Sequence, residues 1–132
     1  MAPHPIARPH RPDPFSLRQT YFSFRGRASR RVFWLHGALG LLGIGVLAMA
    51  LLDIAHIAPE TGEAWVNLLL LWPSLALTVK RWHDRDKSGW WALLVFLPAI
   101  GAIWLLVECG FLRGTAGTNR FGPDPLASVE DR

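Results

Sequence analysis

Cysteine is nearly absent from this sequence. Cys109 is the single one in 132 residues, which excludes an intrachain disulfide. Set at the end of an apolar run, it reads as a small packing group rather than a reactive thiol, and no metal-ligand cluster can be assembled around it. Residues 1–31 lack the apolar core of a cleavable signal, so no signal peptide is expected there. Charge is missing from three long stretches. Residues 32–52 carry His36 as their only ionisable side chain, and 64–79 and 90–107 carry none; the last run reaches Leu112 if Glu108 is included. Lys and Arg are missing altogether from 53–63.

The uncharged stretches exclude an ordinary soluble domain. They leave almost nothing to build the amphipathic outer faces that water-soluble helices need. A spanning helix needs roughly 17–25 apolar residues. The first block is long enough and the third fits. The second covers only ~24 Å at about 1.5 Å per residue, and spans if its ends draw in Glu63 or the Lys80 stem. The expected fold is therefore an all-α membrane protein: a small bundle of three transmembrane helices at about 30–53, 64–82 and 89–112. Phe15, Tyr21, Phe22 and Phe24 suggest a short interfacial helix before the first of them.

Charge supplies the orientation. Residues 1–31 hold seven Arg against Asp13, 53–63 hold three acids and no Lys or Arg, and 80–89 hold Lys80, Arg81, Arg85 and Lys87 against Asp84 and Asp86. Basic residues beside spanning helices favour the cytoplasmic side. The N-terminus is thus expected inside, 53–63 outside and 80–89 inside. A straight third crossing would put the tail outside, where its basic and acidic counts balance; Pro98 and Gly101 leave a kinked or re-entrant third block as the other course. The straight crossing is preferred. The five prolines within 1–14 mark a disordered tail holding His4 and His10, both read as solvated. Residues 15–125 form the membrane domain and 126–132 a flexible tail. Anionic lipid headgroups are the expected counter-charge, and no nucleic-acid module is visible.

Helix one is expected to begin at Ser29 as N-cap, with Phe33 and Trp34 at headgroup depth. Asn67, Ser74 and Thr78 are polar positions of helix two, and Pro73 is its expected kink.

Three local patterns carry more information than composition. The first is Phe24-Arg25-Gly26-Arg27-Ala28-Ser29-Arg30-Arg31-Val32-Phe33-Trp34. The second is Lys80-Arg81-Trp82-His83-Asp84-Arg85-Asp86-Lys87-Ser88-Gly89-Trp90-Trp91, and the third is Asn119-Arg120-Phe121-Gly122-Pro123-Asp124-Pro125. In this order and around these blocks they resemble the bacterial inner-membrane family called domain of unknown function 805, over about 20–125. Lys80-Arg81 stands where that family usually has two arginines. The resemblance implies a small multi-pass inner-membrane protein and brings no activity, cofactor or catalytic residue.

Arg27, Arg30 and Arg31 end one helix approach, while Arg81, His83, Asp84 and Ser88 lie on the connector at the same face. A carboxylate at that depth is best stabilised by a guanidinium, so these seven are read as a polar clamp joining helix one to the connector. The rival reading makes His83 and Asp84 an acid/base pair. No nucleophile or metal partner accompanies them, and the clamp is preferred. Glu108, after eighteen apolar residues, is expected at the interface. Asn119, Arg120, Gly122, Pro123 and Asp124 form a fixed turn suited to packing on another motif.

No cofactor is expected. The leading functional expectation is a non-enzymatic structural, assembly or envelope-interaction factor, acting with a membrane-protein partner or a second copy of the chain. The alternative is a subunit of a small oligomeric transporter or channel, which requires Glu108, Asn67 or His36 on a central axis.

Overall fold

The computed structural model describes residues 16–127; the Pro-rich 1–14, Phe15 and residues 128–132 lie outside the described residues. Within them the chain is helical, and no β-strand occurs among the described residues. A short helix, α1 (Leu17–Phe22), is capped by the Ser16 hydroxyl, which accepts from Gln19 N. Ser29 opens α2 (Arg30–Ile54) in the same way, its Oγ accepting from Val32 N at 3.4 Å. A wider π turn occupies Phe33–Leu41 within α2.

Helix α3 runs Pro59–Asp84, longer at its start than the uncharged block because Pro59 takes the first helical turn, where its missing N–H costs nothing. Pro73 is accommodated inside it. At about 1.5 Å per residue, α2 and α3 reach ~37 and ~39 Å, enough to cross a ~30 Å hydrocarbon layer.

The chain is apolar on the outside. Only 11% of the most apolar window of α2 and 28% of that of α3 is buried. Leu39, Leu42, Val46, Leu68 and Leu69 are each more than 60% exposed, while Arg81 is completely buried. Burial of charge beneath exposed leucine is the inverse of a water-soluble core and suits a hydrocarbon solvent.

The third apolar block corrects the sequence reading. It is not one helix over 89–112 but two short ones, a 3-10 segment α4 (Gly89–Phe96) and α5 (Ile100–Phe111), of ~16 and ~18 Å. Pro98 is the cause: the residue before a proline is pushed out of the helical region, and Leu97 takes φ −89°, ψ 102°. Ala99 then adopts φ +63° and the chain reverses. Gly101 makes the reversal tight, since a Cβ there would run into the Leu94 carbonyl oxygen. The result is a helical hairpin whose two arms return to the same end of the bundle. Its α4 arm packs on α3. Trp82, Ala92 and Cys109 form the buried core there, with Phe33, Val79, Leu94 and Leu105 around them.

The α1 helix packs along α3. Lys80 Nζ donates to the carbonyls of Gln19 and Thr20 at 2.5 and 2.6 Å, placing a cation at the negative end of that helix. The Tyr21 hydroxyl donates to His36 O at 3.0 Å, and burial pushes its phenol pKa above the ordinary value. Phe24 meets Trp72 edge-on.

Candidate functional site: a buried polar cap

Helix α3 ends in the sequence that builds the cap. Lys87 N donates to Trp82 O at 2.9 Å and Asp86 N to His83 O at 3.0 Å, while Asp86 takes φ +56°. This is a Schellman stop, with Asp as the short polar residue that tolerates the left-handed position. The stop fixes His83 and Asp84 on the last turn and aims Arg85 and Lys87 toward the returning α5.

Asp84 is the centre of the cap. Arg27 Nε donates to Oδ1 at 3.0 Å, Arg27 Nη2 stands 2.9 Å from the same oxygen, and Arg81 Nη1 reaches Oδ2 at 2.5 Å. The side chains of Arg27, Arg81 and Asp84 are 1%, 0% and 5% exposed, so the pairing is shielded from solvent and salt. Remaining donors are spent on carbonyls. Arg27 bonds Gly117 O, Gly122 O and Thr115 O. Arg81 bonds Cys109 O at 2.6 Å and also Leu112 O. The Asp84 backbone carbonyl accepts from Thr115 N at 2.7 Å and Thr115 Oγ1 at 3.0 Å.

A second carboxylate lies beside it. Glu108, buried near the end of α5, pairs with Arg85 and Lys87, each at 3.0 Å. Lys87 also stands over the rings of Trp82 and Trp91, 5.4 and 5.1 Å from their centroids. These bonds close the hairpin by joining its approach to its return.

His83 is held on three sides. Its ring stacks on Phe121 at 3.8 Å, its Nδ1 is 3.2 Å from Gly26 O, and its backbone oxygen accepts from Asn119 Nδ2 at 2.8 Å. Because Gly26 O can only accept, Nδ1 carries the proton and Nε2 the lone pair in the neutral ring. Nε2 faces Gly89, where an added Cβ would lie 3.6 Å away.

The turn after α5 supplies Phe121. Asn119 and Gly122 exchange backbone bonds at 3.0 and 3.2 Å, with Gly122 at φ +137°, a conformation glycine adopts without strain. Pro123 follows with its fixed φ. Asp124 accepts from Gly117 N and Leu126 N. Arg120 pairs with Asp86 at 3.1 Å in an exposed position worth about 0–1 kcal/mol.

The structure thus brings together Arg27, Arg81, His83, Asp84, Asn119 and Gly122 from all three motifs. It leaves others out. Arg30 donates to Phe111 O rather than to Asp84, because its side chain points toward the end of α5. Arg31 is exposed and makes no ion pair among the described residues. Ser88 precedes α4 without a side-chain capping bond. The sequence reading missed Lys80, Thr115, Gly114 and the partners of Glu108. Only the last had a signal: an acid at the end of an apolar block beside two unspent cations on the connector.

Among the described residues no group of His, Cys, Asp and Glu is arranged to hold a metal ion. Two shallow grooves, about 290 and 550 Å³, are lined by Trp90, Trp91, Leu93 and Leu94 and by apolar residues of α2 and α3. Neither reaches Asp84 or His83.

Residues 21–123 match the family of proteins of unknown function DUF805. The chain is 37% identical over 115 residues to the inner membrane protein YhaH of Escherichia coli strain K12, covering 81% of this chain and 90% of that protein. It is 36% identical over 111 residues to the inner membrane protein YhaI of the same strain, covering 83% and 92%. To the uncharacterized protein YiiR, again of that strain, it is 32% identical over 133 residues, covering 83% and 90%. No solved structure matches. The three motifs that build the cap lie in or at the edge of the matched segment, and the chain belongs to the DUF805 family.

Proposed function

We propose that this chain is an integral protein of the bacterial inner membrane that performs no catalysis and serves as a structural, assembly or envelope-interaction factor. In this reading α2 and α3 cross the bilayer and the α4–α5 hairpin enters and leaves by one face. The buried cap holds that face together. Both termini are then cytoplasmic, and 53–63 is periplasmic. The arrangement places all 14 Lys and Arg on the cytoplasmic side and none opposite, the strongest asymmetry this sequence allows. Relatives named as inner membrane proteins support the location.

The observation that carries the non-catalytic reading is that both carboxylates of the cap are spent on its cations and that neither groove reaches His83, whose Nε2 alone keeps a lone pair. Asp84 is held by two guanidiniums, Glu108 by two cations, and His83 lies between Phe121 and Gly89. A general base needs a free lone pair facing substrate. A channel subunit would need Glu108 on an aqueous axis, where it is instead occupied by Arg85 and Lys87.

Thermal unfolding of His83→Ala separates the readings. Removing a stacked, hydrogen-bonded ring from a structural cap should lower Tm by several °C, roughly 1–2 kcal/mol. Catalytic groups are commonly held at a cost to stability, so an unchanged or raised Tm would favour chemistry at His83.

A further inference from the structure

Among the α3 side chains left without a hydrogen-bond partner in the described residues, Trp82 Nε1 is enclosed in the core, whereas Asn67 stands on the outside. It is exposed, and its carboxamide makes no hydrogen bond among the described residues. Ser74 on the same helix is satisfied, donating to Leu70 O at 2.6 Å. Asn67 lies 4.5 residues from the midpoint of Pro59–Asp84, about 7 Å along the axis, well inside a hydrocarbon layer extending ~15 Å either side. Lipid tails offer neither donor nor acceptor, so an amide exposed there is under pressure to find a protein partner. Val66, Ala76 and Leu77 face the protein interior, whereas Ala64, Asn67, Leu68 and Leu71 share an outward face.

We propose that this face of α3 is the contact surface of a homodimer in which the Asn67 carboxamides of two copies hydrogen-bond each other within the bilayer. A carboxamide is both donor and acceptor. Two copies related by a two-fold axis along the membrane normal place their Asn67 side chains at one depth, and each donates to the other. A different membrane protein would need its own polar group at that height; a second copy supplies it by symmetry. Ala64, one turn away, is small enough to let the backbones approach. Glu60 lies beyond the hydrocarbon layer and Glu63 just inside its edge, close enough for its carboxylate to reach water.

The inference rests on α3 crossing the membrane. The test uses the full chain with Cys109→Ala, carrying Ala64→Cys, Leu71→Cys or Leu69→Cys, oxidised with copper–phenanthroline in native membranes. Disulfide-linked species of twice the chain mass are expected from positions 64 and 71 and not from 69, on the opposite side of the helix. Adding Asn67→Leu should weaken self-association in lipid vesicles roughly tenfold, with Asn67→Gln retaining part of it. Equal cross-linking at all three positions, no effect of Asn67→Leu, or linkage to a different protein would each overturn the proposal. Failure of the spanning reading looks different: thiol probes would then reach cysteines placed on either side of α3, at 58 and 88, from the same side.

Discussion

Asp84→Ala should cost roughly 3–5 kcal/mol of stability in detergent or bicelles, the range for stranding buried charge. The residue lies between Arg27 and Arg81, both essentially unexposed, so deleting the carboxylate leaves two cations without counter-charge. Asp84→Asn should cost less, since its amide oxygen still accepts from one guanidinium. Double-mutant cycles apportion the effect. Coupling above about 1 kcal/mol is expected between Asp84→Ala and Arg27→Ala, and between Asp84→Ala and Arg81→Ala. Arg30→Ala, which loses only a bond to Phe111 O, should be additive. If Asp84→Ala unfolds like the parent, the residue is not structural and its role must be sought in binding or chemistry.

Gly114→Ala is expected to be nearly as damaging, although it adds one methyl group. A Cβ at Gly114 would overlap the Asp84 carboxylate. Either that carboxylate leaves its two arginines, or the strand of chain carrying Thr115 moves away and abandons the Asp84 carbonyl. Overpacking alone costs about 1–3 kcal/mol, and displacing the ion pairs brings the expected loss to roughly 3–5 kcal/mol. The two substitutions should not add. Asp84→Ala removes the atoms that the new methyl would strike, so Gly114→Ala should cost much less in that background. Full additivity in denaturant unfolding would show that Gly114 does not touch the cap.

What was legible in the sequence follows from which forces act locally. The long helices α2 and α3 could be read because uncharged length is a direct demand of the bilayer. Ser29 as N-cap could be read for a similar reason, since capping involves one turn of chain. The pairing of Asp84 with a first-motif arginine followed from charge and shared depth, but the choice of Arg27 over Arg30 did not. That choice depends on where the turn at Gly117 and Gly122 delivers the carbonyls that take the other Arg27 donors. The hairpin was harder. Length and hydropathy of 90–107 describe a spanning helix equally well, and only Pro98 with Gly101 signalled a reversal. The tertiary bonds that settle its course, Glu108 to Arg85 and Lys87, join residues more than twenty positions apart. Lys80 was hidden for another reason: its partners are backbone carbonyls, which no side-chain pattern announces.

The course of the hairpin decides the account as a whole, because every bond from Arg27 or Arg81 to residues 109–122 requires the chain after α5 to lie at the face where α2 begins. Single cysteines in a Cys109→Ala chain, at 58 and at 118, tested with a membrane-impermeant thiol reagent on intact cells and on inverted vesicles, measure this directly. The account predicts labelling of position 58 only in cells and of position 118 only in inverted vesicles. Labelling of position 118 in intact cells would place the tail outside, make the third block a crossing helix, and contradict the cap.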